Sequence, residues 1–496
     1  MQADINQKTG QLFFVSIEGY TLMPKTKEFL KKLQPGGVIL FENNIKDKNQ
    51  LKKLIKDINS CIKIRPFITC DQEGGHVERL RKVSTSVPSL WGSAKTGEKN
   101  LLKAQEIIAS EMKWFGFNMT LSPVLDINSN KKNPIINTRA ISSDPKIVSK
   151  LGSSLAKLYL KNKLIPVGKH FPGHGDLNID SHLNMPVLNK SKNELLKFEL
   201  VPFKNVIKNN IPALMVSHIQ LPRIEKNKQI PATLSKNIIQ NLLKKELKYK
   251  GLIISDDMTM KGITKSHSLP MATKKAILAG INMVLLNTKD NNIENIFNCL
   301  NDECRINKNL ERSINESYEK ILKIKQKYLR RDVPLGRLYN INWTNNFKQS
   351  HEITSQVVHW VKKDLFFTPL KKDFEVIYPI TPKLLKEDLK KILKTLKMKN
   401  VKLFSYNLNP NSKGTKYLLK HLDKRKKKVI ITFNPLCFPN QKSFVNKILA
   451  IYPDTVLIST GLDYDIGVAP KAKNHIDAYG PNYISLLCAF EKVQIP

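Results

Sequence analysis

Nowhere in the chain do eighteen consecutive apolar residues occur, which excludes a membrane-spanning helix. The opening segment, MQADINQKTG, has no basic patch followed by an apolar core, so we expect no signal peptide and a cytoplasmic protein. Cysteine is sparse. The six residues (Cys61, Cys70, Cys299, Cys304, Cys437 and Cys488) include no pair of pairs at zinc-ribbon spacing, and reduced thiols are the simplest reading. Acidic residues are few, 42 against 82 basic ones, which leaves a net charge of +40. Such a charge raises the question of a nucleic-acid or anionic-surface partner. Yet arginine is scarce as well, eleven residues against 71 lysines. Phosphate and base recognition favours the planar guanidinium fork, whereas lysines scattered on helix faces mark solvated surface. Only Lys424–Lys428 forms a compact run, and it leads directly into an apolar strand. Nucleic acid is therefore disfavoured as a partner.

What is there is a two-domain globular chain. Its 496 residues are too many for one compact domain, and 41% hydrophobic with 25% charged residues is the balance of a soluble fold. Eight short apolar runs punctuate the first 290 residues: Leu12–Ile17, Gly37–Phe41, Pro66–Cys70, Met119–Leu125, Ile165–Val167, Ala213–Val216, Leu252–Ile254 and Met283–Leu286. Helix-like segments such as 101–115, 146–161 and 236–248 lie between them. Eight strand–helix units predict an α/β chain built on a (β/α)8 barrel, with the active site at the C-terminal ends of the strands. Val333-Pro-Leu-Gly336 reads as a linker, so the barrel is placed at 1–335. Runs at Phe374–Tyr378, Val401–Ser405, Val429–Phe433 and Thr455–Ser459 place a second α/β domain, a sandwich, at 350–496.

The strand ends test the barrel reading. Strand 3 runs into Asp71-Gln-Glu-Gly-Gly75, with Arg79 following, and strand 4 into Ser122-Pro-Val-Leu-Asp126 and then Asn137-Thr-Arg139. Strand 5 ends in Lys169-His170, strand 6 in Ser217-His218, and strand 7 in Ser255-Asp256-Asp257. One Asp after a strand is more often a helix cap than a catalyst. Their recurrence along one rim points to an enzyme.

The densest chemistry is Lys169-His-Phe-Pro-Gly-His-Gly-Asp-Leu-Asn-Ile-Asp-Ser-His182. Pro172, Gly173 and Gly175 break any helical period, so the stretch is a loop after a strand. An ordinary polar loop rarely concentrates such groups. A metal site from His170, His174 and His182 lacks the helix that usually aligns a His-x-x-x-His pair. The third reading is an acid/base pair in which Asp180 orients His182 and raises its pKa.

This motif closely resembles the signature of glycoside hydrolase family 3, specifically its β-N-acetylglucosaminidase branch. The resemblance extends from about residue 10 to 290 and includes Pro35–Phe41 and Pro231–Ser235. Within it, Ala140-Ile141 stand where relatives often carry Ser-Phe. Gly461–Ile466 and Ile476–Gly480 resemble the family's C-terminal sandwich domain more weakly. The resemblance implies an Asp–His acid/base dyad, Asp180 with His182, and Asp256 in Gly251–Met260 as nucleophile. It also places Asp71, Arg79, Arg139, Lys169 and His170 at sugar-binding positions, with Asp126 and His218 supporting the pocket. Alternation along a strand allows only one of Asp256 and Asp257 to face the barrel mouth. Asp257 is then read as a cap or support, Glu73 as support for the strand 3 loop, and His174 as a loop-stabilising ring.

The implied activity is retaining exo-hydrolysis of terminal β-linked GlcNAc from peptidoglycan fragments, GlcNAc linked to anhydro-muramyl peptides. Neither metal nor cofactor is expected for it. The alternatives are a β-glucosidase, a GlcNAc phosphorylase, or a non-enzymatic basic scaffold that binds nucleic acid or glycan.

Overall fold

The computed structural model describes residues 3–177, 185–225, 227, 229–329, 340–381, 384 and 386–495. Eight parallel strands form the first sheet: β1 (Phe13–Ser16), β2 (Gly37–Ile39), β3 (Phe67–Thr69), β4 (Met119–Thr120), β5 (Ile165–Phe171), β6 (Ala213–Val216), β7 (Leu252–Asp257) and β8 (Met283–Leu286). Each of the eight runs expected from sequence overlaps one of them, β5 and β7 extending beyond theirs. They bond in the order β3-β2-β1-β8-β7-β6-β5-β4. β1 pairs with both β2 and β8, so the sheet curls on itself. Asn118 stitches the seam between β3 and β4. Its side-chain carbonyl accepts from Ile68 N at 2.8 Å, its amide donates to Pro66 O at 2.9 Å, and its own N–H donates to Ile68 O at 3.1 Å. Burial on both faces explains why these strands read as unbroken apolar runs rather than alternating ones; only the last two residues of β7, Asp256 and Asp257, leave the core.

Local signals set the helices between strands. Asp47 caps the helix Lys48–Cys61 by accepting from Gln50 N at 2.9 Å. Its buried residues Leu51, Leu54, Ile55 and Ile58 recur at i, i+3, i+4 and i+7, one face turned to the barrel. Asp144 and Pro145 start the helix Pro145–Lys161, and Gly116, at φ 106°, ends the helix Glu98–Phe115. The expected helix 236–248 forms as a π-type helix over Asn237–Glu246.

The second domain is a six-stranded sheet: β9 (His359–Lys362), β10 (Phe374–Ile380), β11 (Lys402–Asn407), β12 (Lys427–Thr432), β13 (Val456–Ser459) and β14 (Asn474–Asp477), ordered β9-β14-β13-β12-β10-β11. Only β9 is antiparallel to its neighbour. Alternation splits the strands between two cores. Val376, Val429, Ile431, Val456 and Ile458 face one side, while Ile377, Ile430 and Leu457 face the other. Helices cover both faces, giving the expected sandwich. Lys428, within the compact basic run, is buried beside Glu375 with Nζ 3.2 Å from its carboxylate, so that run is not a continuous surface patch. The linker at Val333–Gly336 lies outside the described residues. No described helix is long and apolar enough to cross a membrane.

The domains pack together through polar as well as apolar contacts. Helix Trp343–Val357 contributes Ile353 and Val357 to the barrel core, while helix Tyr483–Gln494 belongs to the second domain's core. Asn482 donates to Val87 O at 2.8 Å, Trp91 Nε1 donates to Asp463 at 3.1 Å, and Lys95 pairs with the same carboxylate.

Candidate active site

A cavity of about 410 Å³ opens where the barrel strands end. Asp71 stands just beyond β3, followed by a tight ribbon, Gln72–Gly74 against Val77–Glu78. Gly74 and Gly75 turn that ribbon at φ +94° and +59°, and a Cβ on Gly74 would meet Pro88 O at 2.8 Å. The turn brings Arg79 back towards Asp71, Nη2 to Oδ2 at 3.9 Å. Lys169 and His170 lie inside β5, which extends to Phe171 and so runs past the expected Ile165–Val167. Their positions are therefore fixed by a strand.

Lys169 is the centre of the floor and is 1% exposed. Its Nζ lies 2.9 Å from Asp71 Oδ1 and 2.6 Å from Glu73 Oε1. Glu73 in turn takes Arg139 bidentately, Nε at 2.8 Å and Nη2 at 2.9 Å. Burial opposes charge at every one of these groups, and the partner charges outweigh it. Arg139 and then Lys169 hold the Glu73 carboxyl far below its usual range, while Asp71 and Glu73 raise the Lys169 ammonium. Asp71 too is held down, burial being overcome by Lys169 and Arg79. The network is thus fully ionised, with its geometry set before any ligand arrives. Glu73 is sealed inside it, with no side-chain exposure.

Asp126 organises the start of the β5 loop. It is fully buried and accepts from His174 N at 2.7 Å and from His170 N at 3.2 Å. Its Oδ2 also sits 2.6 Å from His170 Nδ1. Burial alone would raise its pKa; the His170 charge and these hydrogen bonds bring it below the ordinary value. The ring of His174 also lines the cavity, and burial, with His170 next, pushes its pKa down to about 4. Gly175 fits because its Cα lies against the strand 4 loop, where a Cβ would stand 1.7 Å from Ile127 O.

On the opposite wall, Asp256 and Asp257 end β7. Both touch the cavity, although alternation predicts that only one would. The strand ends here, and Asp257 folds into the following turn. Its Oδ1 accepts from Thr259 N at 2.9 Å, Thr259 Oγ1 at 2.7 Å and Asn287 N at 3.3 Å. Burial, the largest influence on it, raises its pKa. Asp256 Oδ1 accepts from Asp257 N at 2.8 Å. His218 fixes this backbone from below: its Nε2 lies 3.0 Å from Asp257 O and its Nδ1 2.7 Å from Thr233 Oγ1.

The structure therefore brings Asp71, Arg79, Arg139, Lys169, His170 and Asp256 to one cavity. Asp180 and His182 lie outside the described residues. Sequence reasoning missed Phe433, at the end of β12, which reaches the cavity wall from the second domain and packs on His76 with ring centroids 5.1 Å apart. No local signal marks it. The same domain touches the strand 4 loop, where Cys437 Sγ lies 3.3 Å from Lys132 O and Lys131 stands over the Tyr464 ring at 4.6 Å.

Comparison with known proteins agrees with this geometry. Residues 4–324 match the glycosyl hydrolase family 3 N-terminal domain. A protein named Beta-hexosaminidase A from Pseudoalteromonas piscicida is 30% identical over 390 residues, which cover 73% of this chain; the chain spans 65% of that relative's length. A Beta-hexosaminidase from Hydrogenovibrio crunogenus is 33% identical over 279 residues, 55% of this chain and 77% of its own. Among solved structures, a glycoside hydrolase family 3 beta-N-acetylglucosaminidase from a Paenibacillus species superposes with a TM-score of 0.87 at 26% identity, covering 99% of this chain and 97% of that one. With its barrel matching the family's N-terminal domain and its strand ends carrying the polar cavity, the chain belongs to glycosyl hydrolase family 3 and is a glycoside hydrolase.

Proposed function

We propose that this chain is a retaining exo-β-N-acetylglucosaminidase. The observation that carries the reading is the preformed network Asp71–Lys169–Glu73–Arg139 on the floor of the cavity whose wall bears Asp256. A floor lined by ionised donors and acceptors suits a sugar, because each hydroxyl then meets a fixed partner. Asp71 Oδ2 and Arg79 are positioned to bind sugar hydroxyls, with Lys169, Arg139 and His170 completing the floor. The names of the similar proteins support β-linked N-acetylhexosamine as the sugar.

In the proposed mechanism Asp256 attacks the anomeric carbon and forms a covalent glycosyl-enzyme. His182, oriented by Asp180, gives its proton to the departing oxygen and then takes one from the attacking water. Two inversions leave the anomeric configuration unchanged. The proposed natural substrate is GlcNAc linked to anhydro-muramyl peptide in peptidoglycan recycling, acted on in the cytoplasm; this rests on the motif resemblance. Support for one barrel-centred enzyme comes from the convergence of every described candidate residue on one cavity.

The test is release of aryl alcohol from an aryl N-acetyl-β-glucosaminide, with Asp256→Ala and an aryl β-glucoside in parallel. Turnover of the GlcNAc compound by wild type, lost in Asp256→Ala, is the expected result. Turnover retained in a folded Asp256→Ala protein removes Asp256 as nucleophile. Preference for the glucoside replaces the sugar assignment, and a rate that depends on added phosphate replaces hydrolysis with phosphorolysis.

A further inference from the structure

Away from the cavity, three ligand-type side chains meet where the two domains are joined. His351 lies on helix Trp343–Val357, whose inner face belongs to the barrel core. Cys488 and Glu491 lie one turn apart on helix Tyr483–Gln494 of the second domain. His351 Nε2 stands 2.8 and 2.9 Å from the two Glu491 carboxylate oxygens. With the Cys488 sulfur, one donor atom from each residue falls within 4.8 Å of every other.

An ordinary His–Glu ion pair beside a buried thiol is the competing account. It explains the short N···O distances, but gives the thiol no part in the cluster. We propose that His351, Cys488 and Glu491 form a zinc-type metal site that clasps the last helix of the second domain to the helix packed on the barrel.

The donor set fits such an ion. Imidazole, thiolate and carboxylate together suit zinc or cobalt, and their bond lengths of about 2.0–2.3 Å require donors somewhat over 3 Å apart. The His–Glu pair has to open by only a fraction of an ångström, and the sulfur, within 4.8 Å of both, has to close by at most about one. The spacing Cys-x-x-Glu puts both of its donors on one helical face. Thiolate and carboxylate neutralise a divalent ion with neutral imidazole as third ligand, and the thiol proton is released to solvent on binding. Cys488 is buried at 1% exposure, while His351 and Glu491 are about one-third open, so water can complete a tetrahedron from the solvent side. Ser355 Oγ, 3.6 Å from the sulfur, is placed to donate to it and fix its direction. Phe347 packs against the His351 ring at 6.3 Å and limits its rotation. The site is remote from the sugar cavity, and its proposed role is structural.

The experiment is titration of the chelator-treated full-length protein with Co²⁺, read as absorbance. One equivalent is expected to develop a thiolate-to-cobalt charge-transfer band with visible bands of tetrahedral intensity, displaced by Zn²⁺. Cys488→Ser should abolish the charge-transfer band. Glu491→Gln, a near-isosteric change at a side chain about one-third open, should weaken cobalt binding at least about tenfold, the loss seen even for supporting groups at metal sites. Zn²⁺ should raise the melting temperature of wild type and not of His351→Ala. No charge-transfer band in wild type, or one that persists in Cys488→Ser through Cys299 or Cys437, overturns the proposal. So does unchanged affinity in Glu491→Gln.

Discussion

Asp126 Oδ2 lies 2.6 Å from His170 Nδ1 at the base of the sugar cavity, and the same carboxylate holds the backbone N–H groups of His170 and His174. One ionised side chain thus sets the tautomer of a cavity-lining imidazole and the entry angle of the loop beyond it. An acceptor-only group is required, because all three partners donate.

Asp126→Asn tests this arrangement. The amide keeps the volume but replaces one acceptor with a donor that faces two N–H groups. Loss of a hydrogen bond to a charged group costs about 1.5–3 kcal/mol, so kcat/KM should fall roughly 10- to 100-fold. The dependence of the rate on aryl alcohol pKa should stay unchanged, since proton transfer is assigned elsewhere. An unchanged kcat/KM would show that His170 is oriented without Asp126.

Glu73→Gln should act chiefly on stability. It leaves Arg139 and Lys169 buried with one carboxylate, Asp71, in place of two. Breaking a buried ion pair from one side costs about 3–5 kcal/mol, measurable as a shift of the urea midpoint at constant slope. Asp71→Asn, at a side chain 21% exposed, should destabilise less and instead raise KM. Equal destabilisation by the two variants would refute the division of roles.

These contrasts follow from how much of the site was legible in sequence. The strands of the barrel could be read because burial on both faces writes itself as apolar runs, and the rim could be read because polar residues follow each run. The extent of β4 could not. The run continues to Leu125, yet regular pairing stops at Thr120, with Pro123 unable to donate, and resumes as a single bridge from Val124 to Lys169. In the second domain β9 and β14 were missed for opposite reasons. β9 (His359–Lys362) is an edge strand with half-exposed side chains. β14 (Asn474–Asp477) is fully buried but polar, with His475 and Asp477 both bonded to Ser459. Phe433 illustrates the rest: its place in the cavity wall depends on domain packing, which no spacing along the chain encodes.

For the acid/base pair, Asp180→Ala should slow turnover and move the basic limb of the rate profile to lower pH. In the proposed dyad the Asp180 carboxylate favours the His182 imidazolium, so its removal should make the acid form disappear sooner as pH rises. General acid catalysis supplies about 10²–10⁴-fold, and His182→Ala should lose that much with a poor leaving group and far less with an activated aryl one. A basic limb that stays fixed in Asp180→Ala would separate Asp180 from the dyad.

Two buried groups predict opposite pH slopes of stability. His174 has its pKa pushed down to about 4 by burial and then by His170, whereas an unfolded histidine titrates near 6.5. Between those values the unfolded chain holds the extra proton, so stability falls as pH drops from 6.5 towards 4, by up to about 3 kcal/mol. Glu78 is raised to about 7, again by burial first, although it accepts from Val87 N and Ser86 Oγ. Here the folded state holds the extra proton, so stability falls as pH rises from about 4.5 to 7, by a similar amount. Thermal unfolding across pH 4–8 should therefore show its maximum inside the overlap of the two windows. His174→Asn should flatten the acid side alone, and Glu78→Gln the side approaching neutrality alone. Unchanged pH slopes in both variants would refute the assignment of the two windows to these groups.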